Sequence, residues 1–187
     1  MTKITRSAIP RKNSPAADKV MTPDYLAQEI VNHFRPQGSA LDPCAGKGVF
    51  VEAMKKYSSE AEVSLQVFSM EIDEGRDFLH NYRPVYSLNF IISNPPYSIL
   101  RPFLQNSYKV ADNIVYLVQQ PRPFFKALME DAEAAGFGLK ECYRVKVPSE
   151  WRKDMSPFGG GYCAAHWQRG WDHSKHGTLF TGANSDD

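Results

Sequence analysis

The sequence predicts an α/β fold: a doubly wound, mainly parallel sheet with a C-terminal antiparallel strand pair. Three observations carry this. Strand-like and helix-like patterns alternate from Ser39 to Gly138, as when a chain winds back and forth over a parallel sheet. The runs Phe90–Ser93 and Ile114–Val118 are near-continuous in apolar residues rather than alternating, as strands covered on both faces must be. Finally, LKECYRVKVP and GYCAAHWQRGW follow one another with no helical pattern between them, which supplies the antiparallel pair.

Taken in order, residues 1–19 carry Lys3, Arg6, Arg11, Lys12 and Lys19 against Asp18 alone, with no periodicity. They read as a flexible basic arm, with a plain disordered terminus as the alternative. TPDYLAQEIVNHF is a helix: Thr22 can cap it, Pro23 suits its first turn, Asp24 complements its dipole, and Leu26, Ile30 and Phe34 share a face. Pro36 and Gly38 stop it. A short strand then ends at Asp42, a glycine-containing turn follows, and Val49, Phe50, Ala53, Met54 and Tyr57 mark a second helix. VSLQVFSMEID is a strand ending at Glu71, NFIISNPPYS another, RPFLQNSYKVAD a helix and NIVYLVQQ a buried strand. RPFFKALMEDAEAAGFG is a helix closed by Gly136 or Gly138, and the strand pair follows, joined by SEWRKDMSPFGGG. Residues 20–172 thus form one domain, and 173–187 read as a flexible tail.

With 187 residues, 42% of them apolar, the chain can bury one core but has little room for a second. Its 22 basic and 21 acidic residues give no overall polyelectrolyte character, so any nucleic-acid contact must come from local patches. Cys44, Cys142 and Cys163 are odd in number and widely spaced, which fits reduced thiols and a cytoplasmic setting. No apolar run approaches membrane-spanning length, and the first residues lack the apolar core of a signal peptide. A soluble protein without membrane partners is expected. Cys163, His166, His173 and His176 make a zinc set only on paper, because alternating strand positions and a tail explain them; no metal is expected.

In an open α/β sheet, ligands bind beyond the carboxyl ends of the strands. DPCAGKG, Asp42 to Gly48, falls there, with Gly46 and Gly48 able to bring backbone close to a ligand at a helix start. It lacks the spacing and hydroxyl of a phosphate-binding P-loop. Glu71 ends the next strand about 20 residues later, the offset at which an acid meets ribose hydroxyls in nucleoside-binding folds.

DPCAGKG, MEID and SNPPYS, each after a strand, resemble the motifs of S-adenosylmethionine-dependent amino methyltransferases, above all those acting on the exocyclic amine of adenine in DNA. VMTPDYLAQEIV resembles an amino-terminal helix that helps cover the cofactor in one subgroup. The resemblance spans about residues 20–170 and implies a Rossmann-like class I methyltransferase fold with S-adenosyl-L-methionine as cofactor. It implies that Asp42 and the Ala45–Gly48 loop, with Gly46 and Gly48, surround the methionine part. Glu71 would hold the ribose, and Thr22 and Pro23 would lie near the carboxylate. Asp77 would meet the adenine amine, with Phe78 beside the ring. The catalytic set would be Asn94, Pro95, Pro96 and Tyr97.

The tetrapeptide makes chemical sense. The adenine amine is a poor nucleophile because its lone pair is delocalised, but its two protons can be donated. Acceptors at the Asn94 side-chain oxygen and the Pro95 carbonyl would draw the nitrogen toward a tetrahedral shape, with no strong base required. Two prolines preorganise the tip, and Tyr97 offers a face on which an extruded base could stack.

Two features depart from the family pattern. Only IDEGR separates Glu71 from Asp77, where the family usually has a helix and a strand. Asp77 is therefore either the cofactor acid or a loop acid. No segment is long enough for a separate target-recognition domain, which leaves that role to a specificity subunit or to self-association. The basic arm and the loop with Trp151, Arg152, Lys153 and Phe158 mix charge and aromatics as nucleic-acid contacts do. The expected partner is DNA. An RNA base, a protein glutamine amide, or a non-catalytic cofactor- or nucleic-acid-binding module are the alternatives.

Overall fold

Pro23 fixes an extended entry and donates no N–H, so helix α1 (Asp24–Phe34) starts where the chain can first close a turn. It buries Leu26, Ala27, Ile30 and Val31 on one stripe. The computed structural model describes residues 21–81, 87–152, 161–172 and 180–181. The basic arm, residues 153–160 of the aromatic loop, and most of the tail, including His173 and His176, lie outside the described residues.

After α1 come β1 (Gly38–Asp42), α2 (Val49–Glu60), β2 (Leu65–Ser69), α3 (Phe78–Asn81), β3 (Leu88–Ser93), α4 (Leu100–Ser107), β4 (Ala111–Gln119), α5 (Lys126–Ala134), β5 (Phe137–Val145), β6 (Tyr162–Arg169) and β7 (Phe180–Thr181). Several boundaries differ from the sequence reading: β2 ends at Ser69 rather than at Glu71, and α4 ends at Ser107, so that Ala111 and Asp112 belong to β4. Arg122–Phe124 form a separate 3₁₀ turn, and α5 begins only at Lys126, because Pro121 and Pro123 supply no backbone donors for a helical ladder. Residues 180 and 181, read as tail, add a short strand parallel to β5.

The strands form one sheet in the order β2-β1-β3-β4-β6-β5-β7. β1, β2, β3 and β4 are mutually parallel, whereas β6 runs antiparallel to both β4 and β5. The predicted antiparallel pair therefore exists, but β6 inserts between β4 and β5. The path from β1 to β2 runs one way along the sheet and that from β3 to β4 the other. Right-handed crossovers then put α2 and α4 on opposite faces. β4 is covered on both sides: Ile114 to Val118 are each fully buried, as its unbroken apolar run requires. Among the described residues, the link from β2 to β3 contains only a 3₁₀ turn (Ile72–Glu74) and the single-turn α3. This leaves β2 as a sheet edge.

The reversal of strand order lies between β1 and β3, so their carboxyl ends diverge and open a crevice. Asp42 ends one strand, and Ser93 the other.

Candidate active site

At the crevice, Asp42 is 1% exposed and accepts a 2.6 Å hydrogen bond from the Ser93 hydroxyl. Its Oδ1 also accepts from the Cys44 N–H at 3.3 Å, an Asx turn that starts the loop. The Cys44 sulfur lies 3.0 Å from Ser93 Oγ and donates to the Asn94 carbonyl at 3.5 Å. The glycine loop and the proline tip are thus joined directly. Burial pushes the Asp42 carboxyl up to about 7, with repulsion from Glu71 adding to it and the Ser93 and Cys44 donors opposing it. Burial and Asp42 likewise raise the Cys44 thiol, making it a protonated donor rather than a nucleophile.

The loop turns back on β2. Ala45 N–H donates to the Met70 carbonyl, and Gly48 N–H to the Ala45 carbonyl. This path needs left-handed backbone at Gly46 (φ 52°) and Gly48 (φ 83°). A Cβ at either glycine would meet nothing within 4 Å, so both line open space. Glu71 closes the loop on its other side: Oε2 accepts from Gly46 N–H at 2.6 Å, and Oε1 from Asp73 N–H at 3.3 Å. Each oxygen retains a second lone pair for a ligand hydroxyl.

Thr22 does not cap α1. Pro23 takes the N-cap position, and the Thr22 hydroxyl accepts from Asn94 Nδ2 at 3.1 Å. That bond orients the amide and identifies Oδ1 as its acceptor atom. Pro95 is buried, and Pro96 caps the 3₁₀ turn Tyr97–Ile99, which begins α4. Tyr97 is 8% exposed; its ring lies 6.3 Å from Tyr162, which in turn lies 5.3 Å from Trp151.

Thr22, Asp42, Ala45, Gly46, Gly48, Glu71 and Asn94 are linked in one continuous network. Asp77 and Phe78 sit differently. Asp77 accepts from Leu79 N–H at 2.9 Å and faces His80 Nδ1 at 2.7 Å, holding the start of α3. Phe78 is 2% exposed and packs 5.4 Å from Phe103 in the core. The apolar side chain exposed beside Glu71 is Ile72, 54% exposed. Neither Ile72 nor Cys44 was read as a site residue from the sequence. The signals were an apolar residue directly after the strand-end acid and the Asp-Pro-Cys turn. His166 is fully engaged in the fold: its Nε2 lies 3.0 Å from Asn113 Oδ1, and burial lowers its pKa to about 3. Cys44, Cys142 and Cys163 are all free thiols.

No family model matches the chain, and no curated protein matches it in sequence. Solved structures do. A candidate class I S-adenosylmethionine-dependent methyltransferase from Listeria monocytogenes aligns with a TM-score of 0.66 at 11% identity, over 90% of this chain and 67% of that one. A candidate RNA methyltransferase from Pyrococcus horikoshii aligns at 0.53 and 15% identity, over 84% and 90%. The modification subunit of a candidate type I restriction enzyme from Vibrio vulnificus aligns at 0.55 and 17% identity, over 80% of this chain and 44% of that one. At these identities the likeness establishes the fold: the chain has the Rossmann-like class I methyltransferase architecture.

Proposed function

We propose that the protein is an S-adenosylmethionine-dependent methyltransferase acting on the exocyclic amine of adenine in DNA. The observation that carries this reading is the placement of Asn94. Its carbonyl accepts from Cys44 in the glycine loop, while its side chain donates to Thr22 at the base of α1. The amide is therefore held between the two segments expected to enclose a cofactor.

The pocket residues fit such a cofactor. Gly46 and Gly48 face open space, Glu71 stands at the rim with lone pairs for ribose hydroxyls, and exposed Ile72 offers an apolar wall for a purine. Asp42, Ala45, Thr22 and Pro23 surround the space for the methionine part. Asp77 and Phe78 stand apart from this set, Asp77 holding the start of α3 and Phe78 packed on Phe103. When bound, S-adenosylmethionine supplies an electrophilic methyl group on a sulfonium.

The chain's own contribution is positional. Asn94 Oδ1 and the Pro95 carbonyl would accept hydrogen bonds from the two amine N–H groups, which draws the nitrogen lone pair out of conjugation and points it into the pocket; the proton displaced when the nitrogen gains a methyl group leaves to water. Pro95 and Pro96 keep those acceptors from relaxing, so their alignment costs no reorganisation during the reaction. Tyr97 walls the acceptor side, and a base reaches it only unpaired or extruded. Sequence choice would rest with a partner subunit, a second copy, or the basic arm. Among the described residues no helix is long and apolar enough to cross a membrane.

The deciding test is incubation with methyl-labelled cofactor and, separately, DNA, RNA or protein extract. Label in the N6-methyladenine of DNA is the expected result. Label in RNA or in glutamine amides reassigns the acceptor, and calorimetric cofactor binding without transfer makes the protein a binding module.

A further inference from the structure

We infer that Arg122 is a phosphate ligand of the acceptor strand, parked on the Tyr97 ring until a base replaces it there. This rests on the nucleic-acid reading above and adds to it a residue that the motifs do not name.

Arg122 stands on the 3₁₀ turn after β4, next to the tip that follows β3. Its Cζ lies 5.4 Å from the Tyr97 ring centroid, and its Nη1 donates to the Tyr97 carbonyl at 3.2 Å. The guanidinium thus covers the ring assigned to the base. Among the described residues it has no carboxylate partner, whereas Arg76, Arg101 and Arg169 each face an acid.

A partly buried guanidinium held by one carbonyl and one ring face retains most of its five donors for an anion. Its fork fits a phosphodiester, and its plane can exchange an aromatic face for an anion. The same turn carries Phe125, whose N–H donates to the Arg122 carbonyl and which is 50% exposed. Cation and exposed aromatic together make a place where a nucleotide can leave its phosphate on Arg122 and its base on Tyr97. A protein amide acceptor carries no such anion.

The test is a binding cycle read by fluorescence anisotropy. Two short single-stranded DNAs with one adenine are compared, one all-phosphodiester and one with a single neutral methylphosphonate at that nucleotide. On the phosphodiester, R122Q is expected to bind about tenfold more weakly than wild type. Its log affinity against log salt should be shallower by about 0.7. Wild type should lose a similar factor on the methylphosphonate, while R122Q should not distinguish the two DNAs. R122K, which keeps the charge, should restore the salt slope. Equal losses for R122Q on both DNAs, or an unchanged slope, overturn the inference and leave Arg122 a packing residue. A wild type that binds labelled cofactor but neither DNA removes the nucleic-acid reading itself, and the inference with it. A wild type that methylates DNA while the cycle is additive removes only the role of Arg122.

Discussion

Arg169 and Arg122 stand at opposite ends of the sheet and look alike in isolation. Each sits over an aromatic ring, Arg169 at 4.6 Å from Phe137 and Arg122 at 5.4 Å from Tyr97. Their other partners differ. Arg169 reaches Asp112 at 2.9 Å and donates to the Tyr108 and Ala111 carbonyls, so its charge and donors are used in closing the base of the fold. At the crevice, Arg122 has no acid among the described residues, and Asp42 is a buried carboxyl whose partners are only a hydroxyl and an amide. At one end the arginine's charge and donors are used up within the fold. The other keeps charge in reserve, as a binding site does.

The most demanding test of this contrast is Asp42→Asn. The folded pKa of Asp42, about 7, lies above its ordinary value of 3.8. Its contribution to stability is therefore fully present below about pH 4 and is lost as the pH rises through about 7. That loss is roughly 4 kcal/mol. Denaturant unfolding from pH 4 to 8 should show the stability difference moving in favour of the asparagine variant by that order. A difference that does not vary with pH would show that Asp42 is not held above its ordinary range.

Asn94→Ala should lower transfer by about 10²–10³-fold, with calorimetric cofactor affinity changed only severalfold. Unchanged transfer would remove the catalytic assignment. Glu71→Ala should weaken cofactor binding about tenfold, equivalent to about 1.4 kcal/mol, and leave acceptor preference as it was. Competition between DNA and RNA acceptors checks the second half of that statement.

At the other end, Arg169→Ala should destabilise the fold by about 1–2 kcal/mol, because two buried-end carbonyls and Asp112 lose their partner. Transfer per folded molecule should stay at wild-type level. Arg122→Ala should change stability by less than about 0.5 kcal/mol, its effect appearing in acceptor binding. If the two alanine variants exchanged these behaviours, the contrast between scaffold and site would be reversed.

Much of this architecture was legible in advance because it is written in local pattern. The apolar runs of β3 and β4 announced burial on both faces, and Gly46 and Gly48 announced a turn at which backbone can approach a ligand. The shortened link between Glu71 and Asp77 matched the small α3 segment. Other features were hidden in plain residues. Thr22 read as a helix cap, yet its hydroxyl accepts from an amide 72 positions away, since Pro23 already starts the helix. Phe125 read as part of a helix but precedes it and is half exposed, because the turn at Arg122–Phe124 delays α5. Arg122 read as one more helix residue.

By itself the sequence determined the order of strands and helices, the proline tip and the glycine turn, because each depends on backbone preferences and side-chain periodicity within a few residues. Only the tertiary structure decided that β6 inserts between β4 and β5, that Cys44 and Thr22 both reach Asn94, and that Arg122 covers Tyr97. Those contacts join chain segments far apart in sequence, and their partners are chosen by strand order and the placement of turns rather than by any local propensity.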